Sequence, residues 1–341
     1  MLVDFNRAEE AFARLPSEQK SPYFHPIFVV SDALRDPSLT PLFFVYKDGG
    51  EIFYHAFHLG KVAGTPFFDI QSPYAYGGPL SSTTEPSFLA QAGRHYLAWC
   101  RENKILAEFI RFHPLLKNWR FYYGERLSMR ETVWIDLLWQ DRFSLYSTRV
   151  RTAIRKAVKN GLRIRWEATW DSRRDELCKI FFGLYSQAMT ELKADEFYFF
   201  PRDYFQNLMN WSHSYLALCL RGDELLAAAL FLKESNLLEY HLAACHPEGK
   251  KLCASNLILD EAVMEAQKLG CRILHLGGGT DNSPDNPLLF YKSGFSPKRA
   301  SFLIGKTIHA PKEYEEMQKD WQKKYGIPSE KTLFYRFPPN Q

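Results

Sequence analysis

Three glycines, Gly277, Gly278 and Gly279, end an apolar run and open a polar loop, so their backbone N–H groups could stabilise an oxyanion. The loop carries Asp281 and Asp285, either of which can accept a proton or hold an ammonium group, with Asp281 the first choice. His241, His275 and His113 offer base chemistry near neutral pH. His241 and His275 sit in strand-like runs, where a histidine is more often a satisfied core residue than a catalyst.

Other candidates favour binding over bond-making. Tyr74, Tyr76, Gly77 and Gly78, within SPYAYGG, combine hydroxyls with backbone that a ligand can approach, as a pocket wall does. The competing reading is a turn with two tyrosines stacked on the core. Arg149, Arg151, Arg155, Lys156, Lys159, Arg163 and Arg165 fall in one helix and the strand after it. Arg151, Arg155 and Lys159 recur every four residues, share a face and lack an acidic partner one turn on, which suits phosphates of a nucleotide-linked acceptor or of a tRNA. A solvated helix face is the alternative. Tyr185, Met189, Tyr198, Phe199 and Phe200 form an aromatic cluster ahead of Pro201; Phe199 is expected in the core and Tyr198 at an acceptor cleft.

Several chemistries are disfavoured. No serine or cysteine occupies a G-x-S-x-G-type motif, and neither G-x-G-x-x-G nor G-x-x-x-x-G-K-[ST] occurs. The six cysteines are scattered, with no C-x-x-C pair and no Cys/His cluster at ligand spacing, so no metal site is expected and a reducing compartment fits. A net charge of +4 over 341 residues is small and does not point to DNA. No apolar run approaches a membrane span and the first residues lack the apolar core of a secretory signal, so a cytoplasmic protein without a membrane span is expected.

The elements that must position these residues repeat one theme. Residues 41–60 read as two β-rich runs around a Lys-Asp-Gly-Gly turn, and residues 215–245 as three strands. Each set is followed by a helix and a further strand, at 87–104 and 105–113 in one half and 254–270 and 271–278 in the other. The chain is therefore α/β, of the α+β kind, with two similar units in tandem. Their join lies around residues 138–161, where Ser147 caps a helix that Gly161 ends. The expected spans are 1–146, 147–310, and a tail 311–341 whose helix (312–325) and apolar strand pack back on a sheet.

Leu289, Lys292, Gly294 and Phe295 fit the L-Y-x-K-x-G-F segment of GNAT acyltransferases, with Phe290 at the place of the family's acid tyrosine. Tyr291 comes one residue later, turned by about 100° on a helix. The family's pyrophosphate loop falls at 246–258, where Ala254 keeps a small residue, Leu252 replaces a glycine, and Lys250 and Lys251 could meet phosphates. More of the chain resembles the Fem-type aminoacyltransferases and their sugar-modifying relatives: residues 69–78, Phe112-His113-Pro114 before Asn118, the helix 151–161, Tyr198-Phe-Phe-Pro201, Tyr240-His241-Leu242, and Leu276 to Gly279 with Phe290-Tyr291-Lys292. The resemblance spans residues 25–300.

It implies two tandem GNAT-like domains, each a mixed, mostly antiparallel sheet flanked by helices. It also implies an N-acyltransferase that moves an aminoacyl or acyl group onto an amine of a cell-envelope precursor of peptidoglycan or polysaccharide, by direct attack. The acceptor would be a nucleotide-linked sugar or muropeptide precursor. Acyl-CoA or aminoacyl-tRNA would be the co-substrate, with no tightly bound cofactor. Lys292 matches the lysine of the family's aminoacyl channel, an ammonium beside a developing oxyanion or a donor phosphate. Two other readings are a plain acetyl-CoA-dependent sugar or amine N-acetyltransferase and a non-catalytic binding module that keeps the fold.

Overall fold

Strand-forming runs rich in Phe, Tyr, Ile and Leu dominate both halves of the computed structural model, which describes residues 1–138, 141–283 and 285–337. Trp139 and Gln140 of the expected join, Pro284, and the last four residues lie outside the described residues. The chain divides into two units: Met1–Met129 with the residues from Phe302 onward, and Arg130–Ser301.

In the first unit the strands Leu39–Asp48 and Glu51–Lys61 form the expected hairpin, in register from Asp48 opposite Glu51 to Leu39 opposite Gly60. Glu51–Lys61 is buried on both faces over residues 52–58, as its nearly unbroken apolar run requires. It pairs in turn with Phe68–Gln71 and with Gly78–Ser81. Phe68–Gln71 runs parallel to Ile105–Arg111, and the helix Pro86–Glu102 between them presents Phe88, Ala92, Tyr96 and Cys100, four residues apart, to the core.

The pairing of those two parallel strands continues through the turn that follows. The N–H of Ser72 reaches the Phe109 carbonyl at 3.1 Å and that of Gly77 the Arg111 carbonyl at 2.7 Å. The Arg111 guanidinium holds the carbonyls of Ser72 and Pro73 at 3.1 and 2.8 Å. Asn118, fully buried, accepts from the His113 N–H at 3.0 Å and donates to the carbonyls of Gly77 and Pro79 at 2.8 and 3.2 Å.

In the second unit the strand order is Glu125–Asp136, Ile273–Gly278, Leu237–Cys245, Glu224–Glu234, Ser214–Arg221, Leu162–Ala168. Every neighbouring pair is antiparallel except Leu237–Cys245 with Ile273–Gly278. That parallel pairing lasts three residue pairs and ends at Glu239 opposite His275. The helices Thr148–Lys159 and Ala254–Lys268 cover one face, packing Val150, Ile154, Leu257 and Ala262 on Ala227, Ala229, Phe231, Leu238 and Leu274. Ser147 caps the first of these helices, accepting from the Val150 N–H, and the helix stops before Gly161.

Three expectations change. Residues 304–308 pair antiparallel with Ile105–Arg111, so the C-terminal segment clusters with the first unit and the division falls at 129/130 instead of near 146. In the tail, the helix Pro311–Tyr325 is present, but residues 331–337 form no strand. They hold the short turn Phe334–Arg336, because Phe334 is buried against Tyr314 and Trp321 while Arg336 clamps Asp69 through two nitrogens at 2.7 and 2.8 Å. Phe199 is exposed at 45%, and Phe200 takes the core place against Tyr185 and Tyr204. No helix among the described residues is long and apolar enough to cross a membrane.

The Asn118 clamp gives a direct test. Asn118→Ala removes three buried hydrogen bonds and is expected to lower unfolding free energy by about 2–4 kcal/mol. Urea denaturation checks this, and a change below about 0.5 kcal/mol would mean that something else fixes the turn.

Candidate functional site

The second unit's parallel strands bulge as they leave each other. Opposite Leu230 and Phe231 the partner strand carries an extra residue, His241, and Ile273–Gly278 gains one at Leu276. Gly277 has φ +73°, a conformation that side-chain-bearing residues rarely adopt. The chain then enters the loop that returns through the helix Pro287–Ser293. Asn286 caps this helix, accepting from the N–H groups of Leu288 and Leu289 at 3.1 and 3.0 Å and donating to Thr280 Oγ1 at 2.8 Å. A Cβ on Gly279 would lie 2.4 Å from Asn286 Oδ1, so this approach needs glycine.

The helix brings Lys292 back to the strand end. Its Nζ donates to the Gly278 carbonyl at 2.8 Å and lies 5.9 Å from the Tyr240 ring centroid, and the residue is only 7% exposed. Burial, followed by the nearby charge of Arg130, pulls its pKa from 10.5 down to about 7. Tyr291 packs into the core edge-on to Phe295, and its buried hydroxyl has no hydrogen-bond partner among the described residues. Burial drives that phenol's pKa well above 10. Phe290 points outward, 63% exposed. The Arg149 guanidinium lies 4.0 Å from the Phe290 ring centroid and donates to the Phe290 carbonyl at 2.9 Å.

Gly277, Gly278, Gly279, Tyr291 and Lys292 are thus brought together, with Tyr240 and Arg130 beside Lys292. Asp281 is exposed and tied into its own loop, accepting from the Ser283 N–H at 2.8 Å, and that bond with the Asn286 amide holds its carboxyl below the usual range. A carboxylate so stabilised is a weak base. His275 alternates with Leu274 and Leu276 of the helix-covered core, so its ring lies on the other sheet face from Lys292, with Nδ1 2.8 Å from Glu239 Oε2. His241 Nε2 is 2.6 Å from the Tyr204 hydroxyl.

Arg151 is half-buried and binds the Phe143 carbonyl and Thr148 Oγ1 at 3.3 and 3.1 Å, whereas Arg155 is exposed. Tyr198 is half-buried and its carbonyl accepts from the Tyr185 hydroxyl at 2.9 Å. In the first unit, Tyr76 is buried edge-on to His113 and Tyr23, Tyr74 lies under Arg35, and Gly77 and Gly78 are the residues that Asn118 clamps. There the packed turn describes the four residues better than a pocket wall does. The expected loop at 246–258 is instead the short helix Pro247–Lys251, seated where a Cβ on Gly249 would be 2.4 Å from the Leu226 carbonyl. Arg130, Glu239 and Asn286 carry weight that the sequence reading did not give them. Asn286-Pro287 is a legible helix start, while Glu239 meets a histidine 36 residues away that no local spacing announces.

Residues 145–301 match the sequence family described as the acetyltransferase (GNAT) domain. None of the curated proteins compared with the chain matches it. Among solved structures, the crystal structure of FemX is similar with TM-score 0.70 and 13% identity, covering 93% of this chain and 99% of that one. The structure of L-PGS from Bacillus licheniformis is similar with TM-score 0.60 and 13% identity, covering 89% and 91%. At these identities the likeness is one of fold. Residues 145–301 are thus similar to a GNAT acetyltransferase domain, and the fold of the chain is like that of FemX.

Lys292 makes a measurable demand on the fold. Its unfolded-state pKa near 10.5 exceeds the folded value of about 7, so the charge-burial penalty is full below pH about 7 and fades as pH rises toward 10.5. The shift amounts to roughly 4–5 kcal/mol as an upper bound. Lys292→Met is expected to raise Tm by several degrees at pH 6 and by much less at pH 9.5, as thermal melts at the two pH values would report. Equal shifts at both would mean that Lys292 is not carried as a buried, strained charge.

Proposed function

We propose that the Arg130–Ser301 unit transfers an aminoacyl or acyl group to an amine of a cell-envelope precursor. The observation that carries the reading is the buried Lys292 ammonium bound to the last carbonyl of a strand pair that opens, with Arg130 close by. A carbonyl held there would meet two cations as negative charge grows on its oxygen, and Gly277 and Gly279 add backbone N–H groups. The acceptor amine attacks the carbonyl carbon, the new C–N bond forms, and the ester C–O or thioester C–S bond breaks. The amine's proton leaves to solvent or to the departing group. The charged form of Lys292 predominates below pH about 7, so its electrostatic help fades as pH rises through that value.

The donor favoured is aminoacyl-tRNA, and the acceptor a nucleotide-linked sugar or muropeptide precursor in the cytoplasm. Against coenzyme A stands the helix Pro247–Lys251, which replaces a glycine loop and sits against the Leu226 carbonyl. In favour of a thioester stand the kept N-terminus of the helix Ala254–Lys268 and the acetyltransferase domain match, so a sugar or amine N-acetyltransferase is the second reading. FemX and L-PGS support the fold of this reading, and its class of acceptor comes from the Fem-type resemblance of the sequence.

Calorimetric titration with acetyl-CoA and with a charged tRNA separates the two. Salt-sensitive binding of charged tRNA and silence with acetyl-CoA is expected; micromolar acetyl-CoA binding would replace the first reading by the second. In a transfer assay with whichever donor binds, Lys292→Met should lose at least about 100-fold in kcat, with donor affinity changed only a few-fold.

A further inference from the structure

A lysine ammonium carries three N–H donors, and a buried one needs acceptors or an anion to replace the water it has lost. Lys292, only 7% exposed, has the Gly278 carbonyl at 2.8 Å and the Tyr240 ring centroid 5.9 Å away. Among the described residues its Nζ makes no other hydrogen bond and no ion pair. The charge that reaches it is a second cation, Arg130, on the strand Glu125–Asp136. From the helix Thr148–Lys159 comes Arg149, also a cation, bound to the Phe290 carbonyl. Tyr240 and Tyr291 are phenols that burial holds in the neutral form. The carboxylates nearby are turned to other partners or to water: Asp281 accepts from the Ser283 N–H, Asp285 is exposed, and Glu239 is bound to His275 on the opposite face of the sheet.

An amine that is desolvated beside a second cation gives up its proton easily and becomes a nucleophile. With the pKa of Nζ at about 7, about half of the Lys292 side chains carry a free lone pair at pH 7, against about one in three thousand for an ordinary lysine. An electrophile that reaches so deeply buried an atom must be small and uncharged. Its adduct gains most if it is an anion, because the surroundings supply a cation and leave it without a counter-ion. Carbon dioxide meets both conditions.

We propose that carbon dioxide reversibly carbamylates Nζ of Lys292 and that Arg130 pairs with the carbamate. The nitrogen lone pair attacks the carbon of CO2, the N–C bond forms as one C–O π pair moves onto oxygen, and the nitrogen releases a proton to water. The side chain thereby changes from a cation to an anion. The modification stands on the geometry around Nζ, while its effect on turnover rests on the acyl-transfer reading. In that reading an anion here repels the oxygen on which negative charge grows, so carbon dioxide acts as an inhibitor of transfer.

The test equilibrates the full chain with 13C-labelled carbon dioxide at pH 7.5, traps carbamates by ethylation with triethyloxonium ion, and maps the label by peptide mass spectrometry. Label at Lys292 is expected at least about 10-fold above that at the exposed Lys156 and Lys159. At pH 6 and the same pressure of carbon dioxide it should fall at least about 5-fold, as Nζ takes up its proton. Arg130→Gln should lower it at least about 3-fold, because the carbamate loses its counter-ion and the amine is more often protonated. Mapping of the wild type needs no variant, so a misfolded variant cannot hide the result. Label at Lys292 no greater than at the exposed lysines, or label that does not fall at pH 6, overturns the proposal. In a transfer assay at constant pH and ionic strength, raised carbon dioxide is expected to lower kcat at least about 3-fold. Transfer without label at Lys292 would sink this inference and leave the acyltransferase; label without transfer would keep the modification and remove the acyl-transfer reading.

Discussion

A strand that leaves its partner leaves backbone groups that must bond elsewhere, and the second unit meets this demand with a side chain. Leu237–Cys245 and Ile273–Gly278 pair in parallel over three residues and then part. Beyond the parting, the Gly278 carbonyl takes its hydrogen bond from the Lys292 ammonium. Much of the local construction serves that bond. Gly277 turns the strand, Gly279 makes room for Asn286, and Asn286 starts the helix that delivers Lys292. The same bond draws the ammonium out of water, which lowers its pKa and leaves a charge available to a ligand entering the gap.

The first unit has the same pair of parallel strands and resolves it differently. After Gln71 the turn 72–77 remains bonded to Ile105–Arg111 through backbone and through the Arg111 guanidinium. Tyr76 then fills the place with an aromatic ring packed on His113 and Tyr23. Where one unit uses a lysine across an opening, the other uses an arginine to keep the strands joined. Similar topologies can therefore end in a reactive edge or in a sealed core, according to which side chain satisfies the same few carbonyls.

Much of the fold could be read from the sequence because it is written locally. Alternating and continuous apolar runs gave the hairpin Leu39–Asp48 with Glu51–Lys61 and the three strands from Ser214 to Cys245, and Ser147 and Gly161 marked a helix that is present. The division between units was not local: it depends on residues 304–308 choosing Ile105–Arg111 as their partner. Phe199 and Phe200 illustrate the limit of composition, since adjacent aromatics face opposite ways and only tertiary packing selects the buried one. In the site, Lys292 and the glycines were legible from their order, whereas Arg130 acts through space from another strand. The segment 246–258 was read as a loop because it falls where the resembling family has its pyrophosphate loop, yet Pro247 at the first turn and the His246 side chain capping the Glu248 N–H start a short helix there.

The discontinuity of the first unit bears on how the chain is made. Its strand Ile105–Arg111 receives its antiparallel neighbour only when residues 304–308 emerge, roughly 190 residues later. At about 5–20 residues per second, ribosomal synthesis leaves that strand with an unclosed edge for about 10–40 s. During the interval the whole second unit, continuous in sequence, is synthesised, while the first must wait as an unfinished sheet whose free edge is open to pairing with other nascent chains. Arg336, clamping Asp69 across 267 positions of sequence, is among the last contacts of the first unit to form.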